Sequence, residues 1–295
     1  MTRRRKPRRL SWLWYLHVVP LVVSVAGGAL AAPCTLEDLP DGTVSEVVDG
    51  DTARLEDGRE VRFVGLQAPK LALGRKGFTP WPLADEAKAA AETLLRGRKV
   101  ALKAGGRQMD RHGRVLAHLY LTDGPEEARW VQAELLRQGW ARVYTFADNR
   151  ACAGEMLVLE AEARAGGRGI WAHPFYAVRQ AEDIEALMGL TNSYQLIEGR
   201  VRDVARVRSR IYINFGKDWR TDFTAVVHGR GSRAFGVEEP VPAALAALEG
   251  KRVRLRGWLR ERNGPEIALT HPEAAEILEE KKTETYPRPL EGTVE

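Results

Sequence analysis

The chain has 295 residues, 44% apolar and 29% charged, a balance that excludes a disordered polymer and leaves room for two ordinary domains. Its formal charge of +5 leans on Arg3, Arg4, Arg5, Lys6, Arg8 and Arg9, and taking those six away leaves −1 for everything after residue 9. The remainder therefore has no overall basic field to steer it onto a polyanion, and a charged partner has to be read from local patches.

The basic start runs into an apolar stretch from Trp12 to Ala32 that ends in Ala29-Leu30-Ala31. Basic, then apolar, then small-x-small is the pattern of a secretory signal peptide, here residues 1–31. The rival is an uncleaved inner-membrane anchor over residues 12–32, which Pro20, His17 and Gly27-Gly28 weaken as a lipid-facing helix. Both place the rest of the chain in the periplasm or outside the cell, with a membrane partner only if the segment is retained. The two cysteines, Cys34 and Cys152, either pair in that oxidising setting or stay as buried thiols. Neither sits beside a histidine or a cationic motif that would make it a reactive thiol.

Apolar alternation predicts strands at Thr43–Val48, Thr52–Leu55 and Glu60–Leu66, with Glu56-Asp57-Gly58-Arg59 as the turn between the second and third. Leu83–Leu95 is an Ala-rich helix stopped by Gly97. Lys99–Lys103 and Val115–Leu121 are strands, and Ala128–Gln138 and Ala151–Ala165 carry apolar residues at helical spacing. Five strands with three helices predict a mostly β fold with helices (α+β), a barrel of the oligonucleotide-binding (OB) type. Pro174 and a helical stretch, Ala181–Met188, connect it to a second β-rich region. There strands are expected at Leu196–Val204, Arg210–Phe215, Asp222–His228, Arg252–Leu259 and Glu266–Thr270, with a short helix at Ala243–Leu248. Five strands with a helix between the third and fourth again suggest a small OB-like β-barrel. The expected organisation is thus a leader (1–31), a first domain (41–171), a connector (172–195), a second domain (196–280) and an unstructured tail (281–295).

Three motifs carry chemistry. Asp49-Gly50-Asp51-Thr52 is a tight acidic turn that could hold a hard cation through oxygen. Arg62, on the third strand, and Arg114, in the loop Asp110-Arg111-His112-Gly113-Arg114, could clamp a phosphate with forked donors. Gly169-Ile170-Trp171 closes the region. Alone, the Asp-Gly-Asp turn reads as an ordinary turn. In this order and spacing the motifs resemble the staphylococcal nuclease (thermonuclease) family over about Asp41 to Trp171. The resemblance implies a calcium-dependent phosphodiesterase in which Asp51 ligates the metal, Asp49 supports it, and Arg62 and Arg114 bind the phosphate and stabilise its transition-state charge. Tyr144 and Phe146 match a pair of tyrosines that contact the nucleotide, and His112 stands where the family often has an aromatic.

One anchor departs from the family. Where the family reads Asp-(Thr/Ala)-Pro-Glu after the arginine strand, this chain reads Gln67-Ala68-Pro69-Lys70. A metal-ligand aspartate has become an amide and the general-base glutamate an ammonium. Gln67 still has a carbonyl oxygen to offer, but Lys70 cannot ligate calcium while protonated. The expectation is that Lys70 stands in for the cation, pairing with Asp51 or the phosphate, and that any calcium site is weakened. Use of Lys70 as a base would need a depressed pKa. No other cofactor is implied.

From Glu198 to Arg262 there are 15 basic and 8 acidic residues. Tyr212, Phe215, Trp219 and Trp258 lie among arginines there, either as a platform for single strands or as core. The resulting expectation is an exported protein that binds nucleic-acid phosphodiesters, single-stranded DNA or RNA, with calcium-dependent cleavage weak or lost. Two alternatives stand beside it: a working nuclease with altered metal or base, and an envelope scaffold that reuses the barrels for interaction.

Overall fold

The computed structural model describes residues 34–124, 129–229, 231–236 and 241–278. The expected leader and the tail 281–295 lie outside these. The first region contains β1 (Glu37–Asp49), β2 (Thr52–Leu55), β3 (Glu60–Phe63), β4 (Gly65–Gln67), α1 (Ala84–Leu95), β5 (Lys99–Ala104), β6 (Val115–Leu121), β7 (Arg129–Trp130), α2 (Val131–Arg137), β8 (Arg142–Tyr144) and α3 (Ala153–Ala165). Five strands run in the order β3-β2-β1-β5-β6, and a parallel pairing of β3 with β6 closes them into a barrel. Val44, Ala53, Leu55, Val61 and Phe63 fill it together with Leu95 from α1 and Leu135 and Leu136 from α2.

Several boundaries differ from the sequence expectation, each for a physical reason. β1 starts at Glu37 rather than Thr43 because it serves two neighbours: residues 37–43 pair with β5 and residues 44–49 with β2. The expected strand Glu60–Leu66 breaks at Val64. Gly65 takes φ +84°, a backbone conformation that favours glycine, and its missing Cβ leaves room for the end of the Met156 side chain. Beyond it β4 leaves the barrel and pairs with β8, a strand absent from the sequence expectation, setting Gln67 opposite Arg142. The helix expected over 128–138 begins at Val131, because Arg129 and Trp130 first pair with β6; Ala128 is outside the described residues. Cys34 and Cys152 form a disulfide that ties the chain before β1 to the start of α3.

The second region comprises β9 (Arg179–Gln180), α4 (Ile184–Met188), β10 (Tyr194–Arg200), β11 (Asp203–Val207), β12 (Arg210–Asn214), β13 (Thr224–His228), α5 (Ala243–Ala246), β14 (Arg252–Glu261), β15 (Pro265–Leu269) and β16 (Ala275–Ile277). The helix expected from Ala181 starts at Ile184, where Asp183 caps it by accepting from Ala186 N at 3.1 Å. The single strand expected over Leu196–Val204 is two. Val201 N donates to Lys251 O beside β14, whereas Arg202 N donates to Asn214 O on β12. β10 thus pairs with β14 and β11 with β12, and the sheet runs β11-β12-β13-β15-β14-β10-β9. If β10 and β11 are counted as one bent strand, this second β domain returns to its starting strand as the first barrel does. A separate core fills it, including Ile197, Ile211, Ile213, Phe223, Leu245, Leu255 and Ile267.

β8, α3 and β14 join the two cores through buried polar contacts. Glu160 is fully buried: its Oε1 accepts from Val143 N at 2.8 Å and Arg256 Nη1 at 3.1 Å, and its Oε2 from Arg256 Nη2 at 2.8 Å. Burial would raise the Glu160 pKa, but Arg256 outweighs it and the carboxyl sits below its usual range. Tyr194 Oη donates to Val143 O at 3.0 Å, and Arg150 grips both oxygens of Glu273 at 2.8 Å. Separating the cores would part Glu160 from Arg256 and leave each with only its second partner, Arg164 for Glu160 and Glu276 for Arg256, so the pair opposes that separation.

Candidate nucleic-acid cleft

The acidic turn between β1 and β2 is built under tight steric control. A Cβ on Gly50 would meet Ala68 Cβ at 2.6 Å, so the missing side chain lets the turn press against the strand exit after β4. Asp51 is then completely buried, and both its oxygens are engaged. Oδ1 pairs with Arg62 and accepts from Thr52 Oγ1 at 3.3 Å. Oδ2 accepts from Ala68 N and from Lys70 Nζ, each at 2.8 Å. Arg62 also donates to two backbone oxygens, those of Asp51 and Leu66, each at 2.9 Å. Much of its donor set therefore fastens the turn to the strand.

The charges follow from this wiring. Burial pushes the Asp51 carboxyl up, but Arg62 and Lys70 together hold it far below the ordinary carboxylate range. Asp49 accepts from Asp51 N at 3.0 Å, and Lys70 and Arg62 act on it only as opposing charges. Burial, followed by the neighbouring Asp51 charge, raises it to about 6. Burial also lowers the Lys70 pKa, with Asp51 opposing that shift.

Above the turn opens a cleft of about 590 Å³. Arg62, Gln67, Lys70, Arg114, His112, Tyr144 and Phe146 all line it, so seven of the nine residues singled out in the sequence converge here; Asp49 and Asp51 lie beneath. Arg114 is steadied by Asp110 Oδ2, to which its Nε donates at 2.8 Å and its Nη2 at 2.7 Å. His112 is exposed, and its Nε2 accepts from Arg111 Nε at 3.1 Å. Phe146 is half exposed and meets Tyr144 edge-on, with ring centroids 4.7 Å apart. Arg107 and Arg111, which the sequence did not single out, also line the cleft, as does Trp258, which the sequence offered only as a platform or core residue of the second region. Arg111 sits inside the Asp110–Arg114 motif and could have been taken from it. Trp258 comes from the second domain, and no spacing in the sequence ties it to this cleft.

Calcium takes six to eight oxygens, with carboxylates neutralising most of its charge. The residues present do not fit it. Asp51 has no uncommitted oxygen, and an ammonium lies within hydrogen-bond distance of one of them. Gln67, expected to offer a ligand oxygen, accepts through Oε1 from Arg142 Nη2 at 3.0 Å, because β4–β8 pairing sets these two residues opposite each other. Among the described residues no three His, Cys, Asp or Glu side chains converge on a metal position.

The second domain's aromatics divide. Phe215 packs against Phe223 at 5.0 Å beside the core, Trp219 is exposed with Arg220 over its ring at 4.3 Å, and Trp258 joins the cleft.

A family model described as staphylococcal nuclease homologue matches residues 60–173, the stretch that supplies Arg62, Lys70, Arg114, Tyr144 and Phe146. Protein ParB of Escherichia coli is 32% identical over 140 residues, which cover 45% of this chain and 73% of that protein. An uncharacterized endonuclease of Escherichia coli is 29% identical over 157 residues, covering 52% of this chain and 88% of its own length. The thermonuclease of Staphylococcus hyicus is 28% identical over 134 residues, covering 44% and 75%. The chain belongs to the staphylococcal nuclease homologue family. These relatives are matched over about half of this chain.

Proposed function

We propose that this protein is an exported member of its family that binds nucleic-acid phosphodiesters, single-stranded DNA or RNA, in the Arg62–Arg114 cleft, with calcium-dependent cleavage weak or lost. The observation that carries this reading is the contact of Lys70 Nζ with Asp51 Oδ2 at 2.8 Å, on a carboxylate whose other oxygen is held by Arg62. The ammonium neutralises Asp51 as a bound cation would and leaves positive charge facing the cleft. Lys70 stands where the family has its general-base glutamate and is engaged by Asp51, and Asp110, which also lines the cleft, is engaged by Arg114, which supports phosphate binding over activation of water. Relatives named endonuclease and thermonuclease support nucleic acid as the ligand class. The leader-like residues 1–31 and the Cys34–Cys152 disulfide support export, since such bonds persist in oxidising compartments.

The test is anisotropy of a labelled single-stranded oligonucleotide, with product analysis, in calcium and in chelator. Binding should be equal in both, weaken steeply with salt, fall on Arg114→Ala and yield no fragments. Strong calcium-dependent cleavage by the unaltered protein, lost on Lys70→Glu, would overturn the reading and make Lys70 a participant in catalysis.

A further inference from the structure

We propose that the second β domain completes the nucleic-acid path. A single strand held at Arg62 and Arg114 leaves the cleft over Tyr144 and Phe146, stacks a base on Trp258 and brings its next phosphates to Arg260. This extends the reading of the cleft as a nucleic-acid site and rests on it.

Three observations carry the inference. The first is continuity. A groove of about 180 Å³ runs along the junction of the two domains, and Tyr144, Phe146 and Trp258 line both it and the larger cleft. A strand leaving the phosphate clamp therefore meets a track without crossing bulk solvent.

The second is the state of Trp258. An indole serving only as core would be covered, yet Trp258 is 38% exposed, next to Phe146 at 51%. Its Nε1 donates to Tyr144 Oη at 3.0 Å across the domain junction. The polar edge of the ring is thus satisfied by the first domain. Such a ring is already ordered, so a base stacking on it loses little to side-chain entropy.

The third is charge. Arg256, Trp258 and Arg260 alternate along β14 and all line the groove. Arg256 is consumed by Glu160 and Glu276. Arg260 is exposed and has no ion-pair partner among the described residues. An aromatic face beside an uncommitted arginine is the arrangement that sequence-tolerant single-strand binders use.

The test is a length series of labelled oligo-dT and oligo-rU, from about three to about twelve nucleotides, measured by anisotropy on the full chain at low salt. Affinity of the unaltered protein should rise with length as the strand reaches the second domain. Trp258→Leu and Arg260→Glu should each lower the ratio of long- to short-oligonucleotide affinity, roughly tenfold for the lost stacking face. Arg114→Ala should instead lower short and long affinities together. Arg260 is exposed, so its variant carries the test even if Trp258→Leu melts early. A length gain with either polymer supports the path and identifies which one it takes. An unchanged ratio in both variants overturns the inference while leaving the clamp reading intact. Failure of the unaltered protein to bind any oligonucleotide removes that reading, and the inference with it.

Discussion

Replacing Lys70 by glutamate and Gln67 by aspartate should convert the cleft into a calcium site. Lys70 Nζ stands 2.8 Å from Asp51 Oδ2. A calcium ion ligated by that oxygen at its usual distance, at a roughly tetrahedral angle to the ammonium, would lie about 4 Å from it. One charge against two at that separation costs about 2 kcal/mol at the dielectric of water and about 8 kcal/mol at the effective value for a protein surface. The Lys70 side chain is 23% exposed, so the penalty lies between these limits. Even the lower one weakens calcium roughly thirtyfold. Lys70→Met should relieve the repulsion without adding a ligand. The double variant adds two carboxylates and should bind calcium most tightly, at the expense of a lower melting temperature in its metal-free form, where Asp51 loses a cation and gains acidic neighbours. Calcium titrations followed by thermal shift, with cleavage of single-stranded DNA in calcium and in chelator, measure both. The reasoning fails if the double variant folds and its melting temperature responds to calcium no more than that of the unaltered protein.

Glu160→Gln should destabilise the protein by about 2 kcal/mol, because it replaces charge-assisted bonds to Arg256 and Arg164 by neutral ones while Glu276 still faces Arg256; a denaturant midpoint unchanged from the unaltered protein would contradict the buried-pair account. The raised pKa of Asp49, about 6, means that the folded state binds the proton more tightly than the unfolded chain. Its contribution is therefore present below the ordinary value near 3.8 and is lost as pH rises to about 6, up to about 3 kcal/mol. Asp49→Asn should flatten stability across that window, read from melting curves at pH 4, 5 and 6 as the difference from the unaltered protein. Changing Cys34 and Cys152 together to alanine opens a loop of sequence separation 118 and should cost about 2–4 kcal/mol; equal stability of oxidised and reduced protein would refute it.

The Asp49–Thr52 turn, the arginine on the third strand and the Asp110–Arg114 loop were legible in the sequence, because an acidic turn and forked cations at fixed strand and loop positions leave a local signature. The alternation that fills the first barrel was legible for the same reason: β2 and β3 each bury one face, and their apolar residues repeat with period two. What lay beyond the sequence depends on contacts between distant segments. β8 is three residues long, too short to show a period, and exists as a strand because β4 leaves the barrel at Gly65 to meet it. Gln67 could be seen as a replaced ligand, yet that its oxygen belongs to Arg142, 75 residues away, follows only from that pairing. The Lys70–Asp51 contact was expected as one of two pairings, and burial of Asp51 beneath the cleft, out of reach of a ligand's phosphate, selects it. Trp258 makes the same point most sharply. In sequence it is one aromatic among arginines, as suited to a core as to a binding face. Its place at the cleft is set by the Glu160–Arg256 pair and the Tyr144 hydrogen bond, which hold the second domain against β8 and α3. Residue type and short-range spacing are local, so the order of amino acids was enough to show which side chains could carry the chemistry. Which of them share one cleft was decided by the packing of the two cores, because that depends on long-range burial of charge and on no repeat along the chain.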